Sequence, residues 1–145
     1  MRGRPVNYRS EGGSFPIEGC LHPVTRERIV VQLDKEALLR RFAYSHVDRE
    51  HVLLIQNTLQ DPTVVAAAET DGSEYWLYIG RPFVSAAEGP TAMSVYVRPT
   101  GFRAYAFGQA QVQPPDEVDG TCMPLQYDGR IKQVLYRKGS PHVSD

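Results

Sequence analysis

The sequence predicts an α+β fold: one strand and two helices, then a twisted antiparallel β-meander of four to five strands, with the helices packed on one face. Two observations carry this expectation. Apolar residues recur at helical spacing only between Asp34 and Pro62, whereas from Thr63 onward β-branched and aromatic residues fall in short blocks separated by Gly, Pro and Asp. The length of 145 residues suits one domain that buries a core without disulfide or metal staples.

Residues Met1 to Ser14 hold three arginines with Gly3, Pro5, Gly12 and Gly13 and almost no aliphatic side chains, which predicts a flexible arm over 1–14. The folded domain is then expected over 15–138, with a tail over 139–145. Arg28 to Leu33 is rich in β-branched residues and ends at Asp34, a residue suited to cap a helix, so a first strand leads into a helix running to Tyr44. Leu38, Leu39 and Phe42 mark its core face. A second helix starts near Ser45 or Asp48, repeats Val52, Ile55 and Leu59 along one side, and stops at Asp61-Pro62 because the residue before a proline is excluded from helical geometry.

The strand-rich part follows as Thr63–Ala68, a tight turn at Asp71-Gly72, Tyr75–Ile79, a loop through Gly89-Pro90, then Met93–Arg98. Pro99-Thr100-Gly101 turns the chain into Phe102–Phe107, where aromatic residues alternate with small or charged ones. The acidic, breaker-rich run Gln113–Gly120 reads as a surface loop, and Ile131–Arg137 as a last strand.

Acidic and basic residues nearly balance, 17 against 16, so no global basic field marks the chain as a nucleic-acid binder and any polyanion site must be local. Cys20 and Cys122 lie far apart in unlike contexts, which fits a reduced, cytoplasmic protein better than a disulfide-framed one. No apolar run reaches membrane-span length, and the N-terminal residues lack the apolar segment of a signal peptide. Cys20, His22, Cys122 and His142 match no zinc-ligand spacing, and no phosphate loop, nucleophile elbow or metalloprotease motif occurs, so neither metal nor cofactor is expected.

Two features could carry chemistry. His46 and His51 fall at the opening of the second helix, where free backbone N–H groups favour an anion and an imidazole can exchange protons near neutral pH. Arg98 and Arg103 bracket the Pro99–Gly101 turn, so two guanidinium groups on adjacent strands can converge on one anion beside Tyr96 or Tyr105. Lys132 adds basic character to the last strand. Each has a plainer alternative: solvated histidines at a helix end, arginines covering a sheet, and Lys132 guarding an edge strand.

The order of Arg28–Val31, a helix-borne histidine, Leu59-Gln60-Asp61-Pro62-Thr63-Val64-Val65, Tyr78 and strands ending in Arg103-Ala104-Tyr105 resembles the phage- and toxin-associated ribonucleases of the barnase/EndoU/colicin/RelE group. The resemblance spans roughly Arg28 to Phe107, and its most characteristic piece is the helix ending in Leu-x-Asp-Pro before a strand. It implies metal-independent RNA cleavage, in which the ribose 2′-hydroxyl attacks the adjacent phosphate. His46 or His51 would be general base or acid, Arg103 or Arg98 would stabilise the phosphorane, and Tyr105 would orient the phosphate, with Tyr78, Tyr96 and Lys132 as further substrate contacts. RNA would be the substrate, and a protein inhibitor or a larger phage or toxin assembly a possible partner. Many phage-associated members carry Ser or Thr shortly before the aromatic residue of the late strand, where this chain has Arg103-Ala104. The alternative function is a non-catalytic module whose Arg/Tyr sheet surface holds a protein, nucleotide or RNA.

Overall fold

The computed structural model describes residues 13–37, 49–85, 89–111 and 130–138. Its strands are β1 (Ser14–Leu21), β2 (Arg28–Asp34), β3 (Val64–Thr70), β4 (Ser73–Ile79), β5 (Phe83–Ser85), β6 (Gly89–Arg98), β7 (Arg103–Gln111) and β8 (Arg130–Arg137); the helix described in full is α1 (Arg49–Gln60), and of the helix expected up to Tyr44 the described residues hold only Lys35–Ala37. Seven strands form a continuous path in the order β1-β2-β7-β6-β4-β3-β8, and β5 pairs with β6 beside it. This sheet curls into a half-barrel, which overturns the expected short meander with helices laid on one face.

Two features produce the larger sheet. β1, absent from the sequence reading, forms an antiparallel hairpin with β2, and its pattern is interrupted by Pro16 and by a bulge between Ile17 and Cys20. Gly19 occupies that bulge at a φ of 73°, a left-handed conformation that glycine adopts at little cost. β2 then pairs in parallel with β7, Gln32 opposite Arg103 and Leu33 opposite Ala104, joining the N-terminal hairpin to a strand far along the chain. Every other pairing is antiparallel.

Local chemistry sets several element ends as expected. The Asp34 carboxylate accepts from the backbone N–H of Glu36 at 2.9 Å and of Ala37 at 3.2 Å, capping a helical turn at Lys35–Ala37. α1 ends at Gln60, immediately before Asp61-Pro62. Asp71 and Gly72 both take positive φ, 50° and 80°, in the tight hairpin joining β3 to β4. Gly89-Pro90, expected in a loop, instead opens β6 and pairs with β5.

α1 lies inside the curl. Ile55 and Leu59 are fully buried against Val31, Leu33, Val65, Trp76, Tyr78, Met93, Val95, Val97 and Ala104, with Val52 and Leu54 at the margin. A second cluster, Val64, Ala68, Tyr75, Leu77, Ile79 and Ala92, occupies the outer face of the same strands. β4 from Tyr75 to Ile79 is therefore buried on both sides.

The curl is cross-linked by polar contacts that skip strands. The buried Tyr78 hydroxyl on β4 donates to the Leu21 carbonyl on β1 at 2.6 Å. Arg26, in the β1–β2 connection, donates to the Pro23 carbonyl and, at 3.3 Å, to Leu135 O on β8, and its guanidinium lies 4.8 Å from the Tyr136 ring centroid. The two ends of the strand path thus meet through one arginine. The C-terminus of α1 is tied to the hairpin as well: Gln60 Nε2 donates to Glu18 O at 2.8 Å, and Arg28 donates to Gln60 O at 2.7 Å, a cation at a helix end whose own last turn has none.

Tyr78→Phe keeps the ring packing and removes only the hydroxyl, leaving the Leu21 carbonyl without that donor. A loss of about 1–2 kcal/mol in unfolding free energy is expected, measured by urea denaturation with an unchanged m-value.

Candidate nucleic-acid interface

The outer face of β4, β6 and β7 carries a cleft of about 300 Å³ lined by Thr70, Asp71, Ser73, Tyr75, Tyr96, Arg98, Tyr105 and Ala106. Its walls follow from strand alternation. Tyr96 and Arg98 share a face of β6, Tyr75 stands on the same side of β4, and the alternate residues Trp76, Val95 and Val97 point inward. The β6–β7 register shifts between Tyr96 and Val97, pairing Tyr96 with Ala106 but Val97 with Ala104, so Tyr105 is the extra residue of a bulge. Consecutive residues Tyr105 and Ala106 consequently both reach the cleft.

Three tyrosines pack in a row, Tyr75 buried beneath and Tyr96 and Tyr105 half-buried. Tyr75 and Tyr96 are tilted with centroids 5.0 Å apart, and Tyr96 meets Tyr105 edge-on at 6.2 Å. Arg98 lays its guanidinium over Tyr105, 4.3 Å from the ring centroid. Arg98 is exposed and has no carboxylate partner among the described residues, so its N–H groups are available to an anion. Asp71 and Ser73 add polar groups at the hairpin end, and the Thr70 hydroxyl is buried without a hydrogen-bond partner among the described residues.

The residues expected to act together are distributed differently. Arg98, Tyr96 and Tyr105 are brought together. Arg103, at the start of β7, is held by the Asp34 carboxylate at 3.3 Å and ties β7 to the capped turn after β2. Tyr78 lies in the core: its hydroxyl is committed to Leu21 O and burial raises its pKa strongly. Lys132 belongs to a rim of charge with Glu74 at 3.2 Å and Glu69 at 3.7 Å, where Arg130 also meets Glu69 at 3.2 Å; the hydrogen bond and charge of Glu74 raise its pKa. His46 lies outside the described residues, and His51 is placed only as a backbone position in the first turn of α1. α1 packs on the inner face, opposite the Tyr/Arg cleft.

Sequence reasoning passed over His22 as a structural residue. Its Nδ1 accepts from Val24 N–H at 3.2 Å and Thr25 N–H at 3.1 Å, which puts the ring proton on Nε2, and its edge packs on Trp76 at 4.9 Å and Phe102 at 5.7 Å. His22 therefore shapes the connection that carries Arg26. Cys20 is equally structural: it is buried, its Sγ–H donates to Ile17 O, and burial pushes the thiol from its ordinary 9.0 up to about 11, against smaller opposing effects of a Val31 backbone hydrogen bond and the Arg28 charge. Cys122 and His142 lie outside the described residues.

Comparison with protein families, curated proteins and solved structures finds no match to this chain. No helix among the described residues is long and apolar enough to cross a membrane.

The raised Cys20 thiol sets two outcomes. Native protein at pH 8 should leave Cys20 unlabelled by a thiol reagent, with full labelling once denatured, as mass spectrometry of the Cys20 peptide would report. Because the folded value exceeds the unfolded one, the stabilisation is complete below about pH 9 and is lost as pH rises toward 11, so the urea midpoint should fall across that window and Cys20→Ala should flatten the fall.

Proposed function

We propose that this protein is a binding module that holds single-stranded RNA on the outer face of its sheet, with a base stacked on the half-buried rings of Tyr96 and Tyr105 and the adjoining phosphate taken by Arg98. The observation that carries the reading is the exposed Arg98 guanidinium over the Tyr105 ring, without a carboxylate partner among the described residues. Aromatic surfaces hold bases without regard to sequence, and a neighbouring arginine supplies the phosphate contact that fixes the strand's path. The cleft volume of about 300 Å³ suits about one nucleotide unit. With a formal net charge of −1 the chain offers little long-range attraction, so binding would rest on few phosphate contacts and have a shallow salt dependence.

This reading is better supported than cleavage, because the helix that would supply the general base packs against the opposite face from Arg98 and Tyr105.

Fluorescence anisotropy of a labelled twelve-nucleotide oligouridine at low salt tests the proposal. Tyr105→Ala and Arg98→Ala should each weaken binding about 5- to 100-fold, the range of one lost base stack, while Lys132→Ala leaves it unchanged. Absence of binding at hundreds of micromolar protein would overturn the proposal. Cleavage of the oligonucleotide in excess chelator would replace it with the ribonuclease reading.

A further inference from the structure

On the inner side of the sheet, where α1 ends, a second cleft of about 450 Å³ opens between the helix and the chain leaving β4. Leu54 and Met93 give it apolar walls together with Pro82, and Asn57, Asp61 and Arg81 stand among its polar groups. The helix is held close to the strand end beside it: a Cβ at Gly80 would lie 2.5 Å from Thr58 Oγ1, so only glycine allows this approach. Thr58 spends its hydroxyl on the Leu54 carbonyl at 2.7 Å and leaves the cleft no additional donor.

The charges lining the cleft are unequal in their commitments. Asp61 is engaged by Lys138 at 2.8 Å, which offsets its negative charge. Gln60 is committed through its side-chain amide to Glu18 O and through its carbonyl to Arg28. Arg81 is exposed and has no carboxylate partner among the described residues, and the Asn57 carboxamide likewise has no partner among them. Among the described residues the cleft therefore combines apolar walls with an uncommitted guanidinium, Arg81, and an uncommitted amide, Asn57.

We infer that this cleft binds an amphipathic monocarboxylate, its carboxylate held by Arg81 and Asn57 and its apolar body lying on Leu54, Pro82 and Met93. A guanidinium pairs with a carboxylate through two parallel hydrogen bonds, and an amide N–H₂ can donate a third. The volume lies within the range of small-molecule sites, and the apolar side chains of Leu54, Pro82 and Met93 stand beside polar groups that can orient a ligand. A cationic amphiphile would meet Arg81 as a like charge, and a neutral one would leave it unpaired.

Titration calorimetry of the full chain with decanoate, decanol and decyltrimethylammonium tests the inference. Decanoate should bind at least tenfold more tightly than the other two, Arg81→Gln should remove that preference, and Arg81→Lys should retain part of it. Asn57→Trp, at an exposed position on the rim, should block decanoate while circular dichroism stays unchanged. Equal affinity for decanoate and decanol, indifference to Arg81→Gln, or no binding of decanoate below its solubility limit would each overturn the inference. Oligouridine binding reports on the opposite face and is expected to be unaffected by these variants.

Discussion

The structure depends on the closure of its curl: a sheet seven strands wide bends until the connection between β1 and β2 touches β8, the other end of the path. Arg26 makes that contact through a backbone carbonyl and an aromatic ring, and Tyr78 reinforces it from the middle of the sheet through Leu21. These few polar contacts supply geometry more than energy. The driving force is removal from water of the inner cluster, in which Ile55 and Leu59 of α1 meet side chains from β2, β3, β4, β6 and β7. A flat sheet would leave part of that helix surface exposed, so the curl and the burial of α1 require each other.

Curvature needs places where the ladder can yield. Bulges interrupt β1 against β2, β6 against β7, and β3 against β8. Each extra residue increases local twist and bends its strand. At β1 the extra length falls on Gly19, directly beside the Gln60 side chain that anchors the helix end. At β7 it falls on Tyr105 and turns a ring outward to meet Arg98. The same device therefore bends the sheet and builds the outer cleft.

Much of the local structure was legible in the sequence because short-range chemistry determines it. Asp34 as a cap, the stop at Asp61-Pro62, the Asp71-Gly72 hairpin and the strand expected over Ile131–Arg137 each follow from residues adjacent in the chain. β1 was not legible, since Pro16 and Gly19 break the alternation that announces a strand. The parallel β2–β7 pairing was not legible either: no local signal couples Leu33 to Ala104. At the site, Arg98 with Tyr105 could be foreseen from their positions around a tight turn, whereas the role of Tyr78 could not. β4 is buried on both faces, so its aromatic residues carry no periodic sign of which ones open to a cleft and which seal the core.

Tyr75 and Tyr78 sharpen that point. They are three residues apart on one strand, so alternation sends them to opposite faces. Tyr75 meets another tyrosine at 5.0 Å in the outer aromatic surface, while Tyr78 spends its hydroxyl on a carbonyl inside the curl. The sheet thereby separates two chemistries across one layer: an outer face that carries Tyr96, Tyr105 and Arg98, and an inner face whose remaining opening beside α1 combines Arg81 with apolar walls. Ligands on the two faces would touch no common side chain among the described lining residues, so any coupling between them would have to pass through the packing of β4 and β6. Met93 is where such coupling would start, because it lines the inner cleft and sits on β6 three residues before Tyr96 of the outer one.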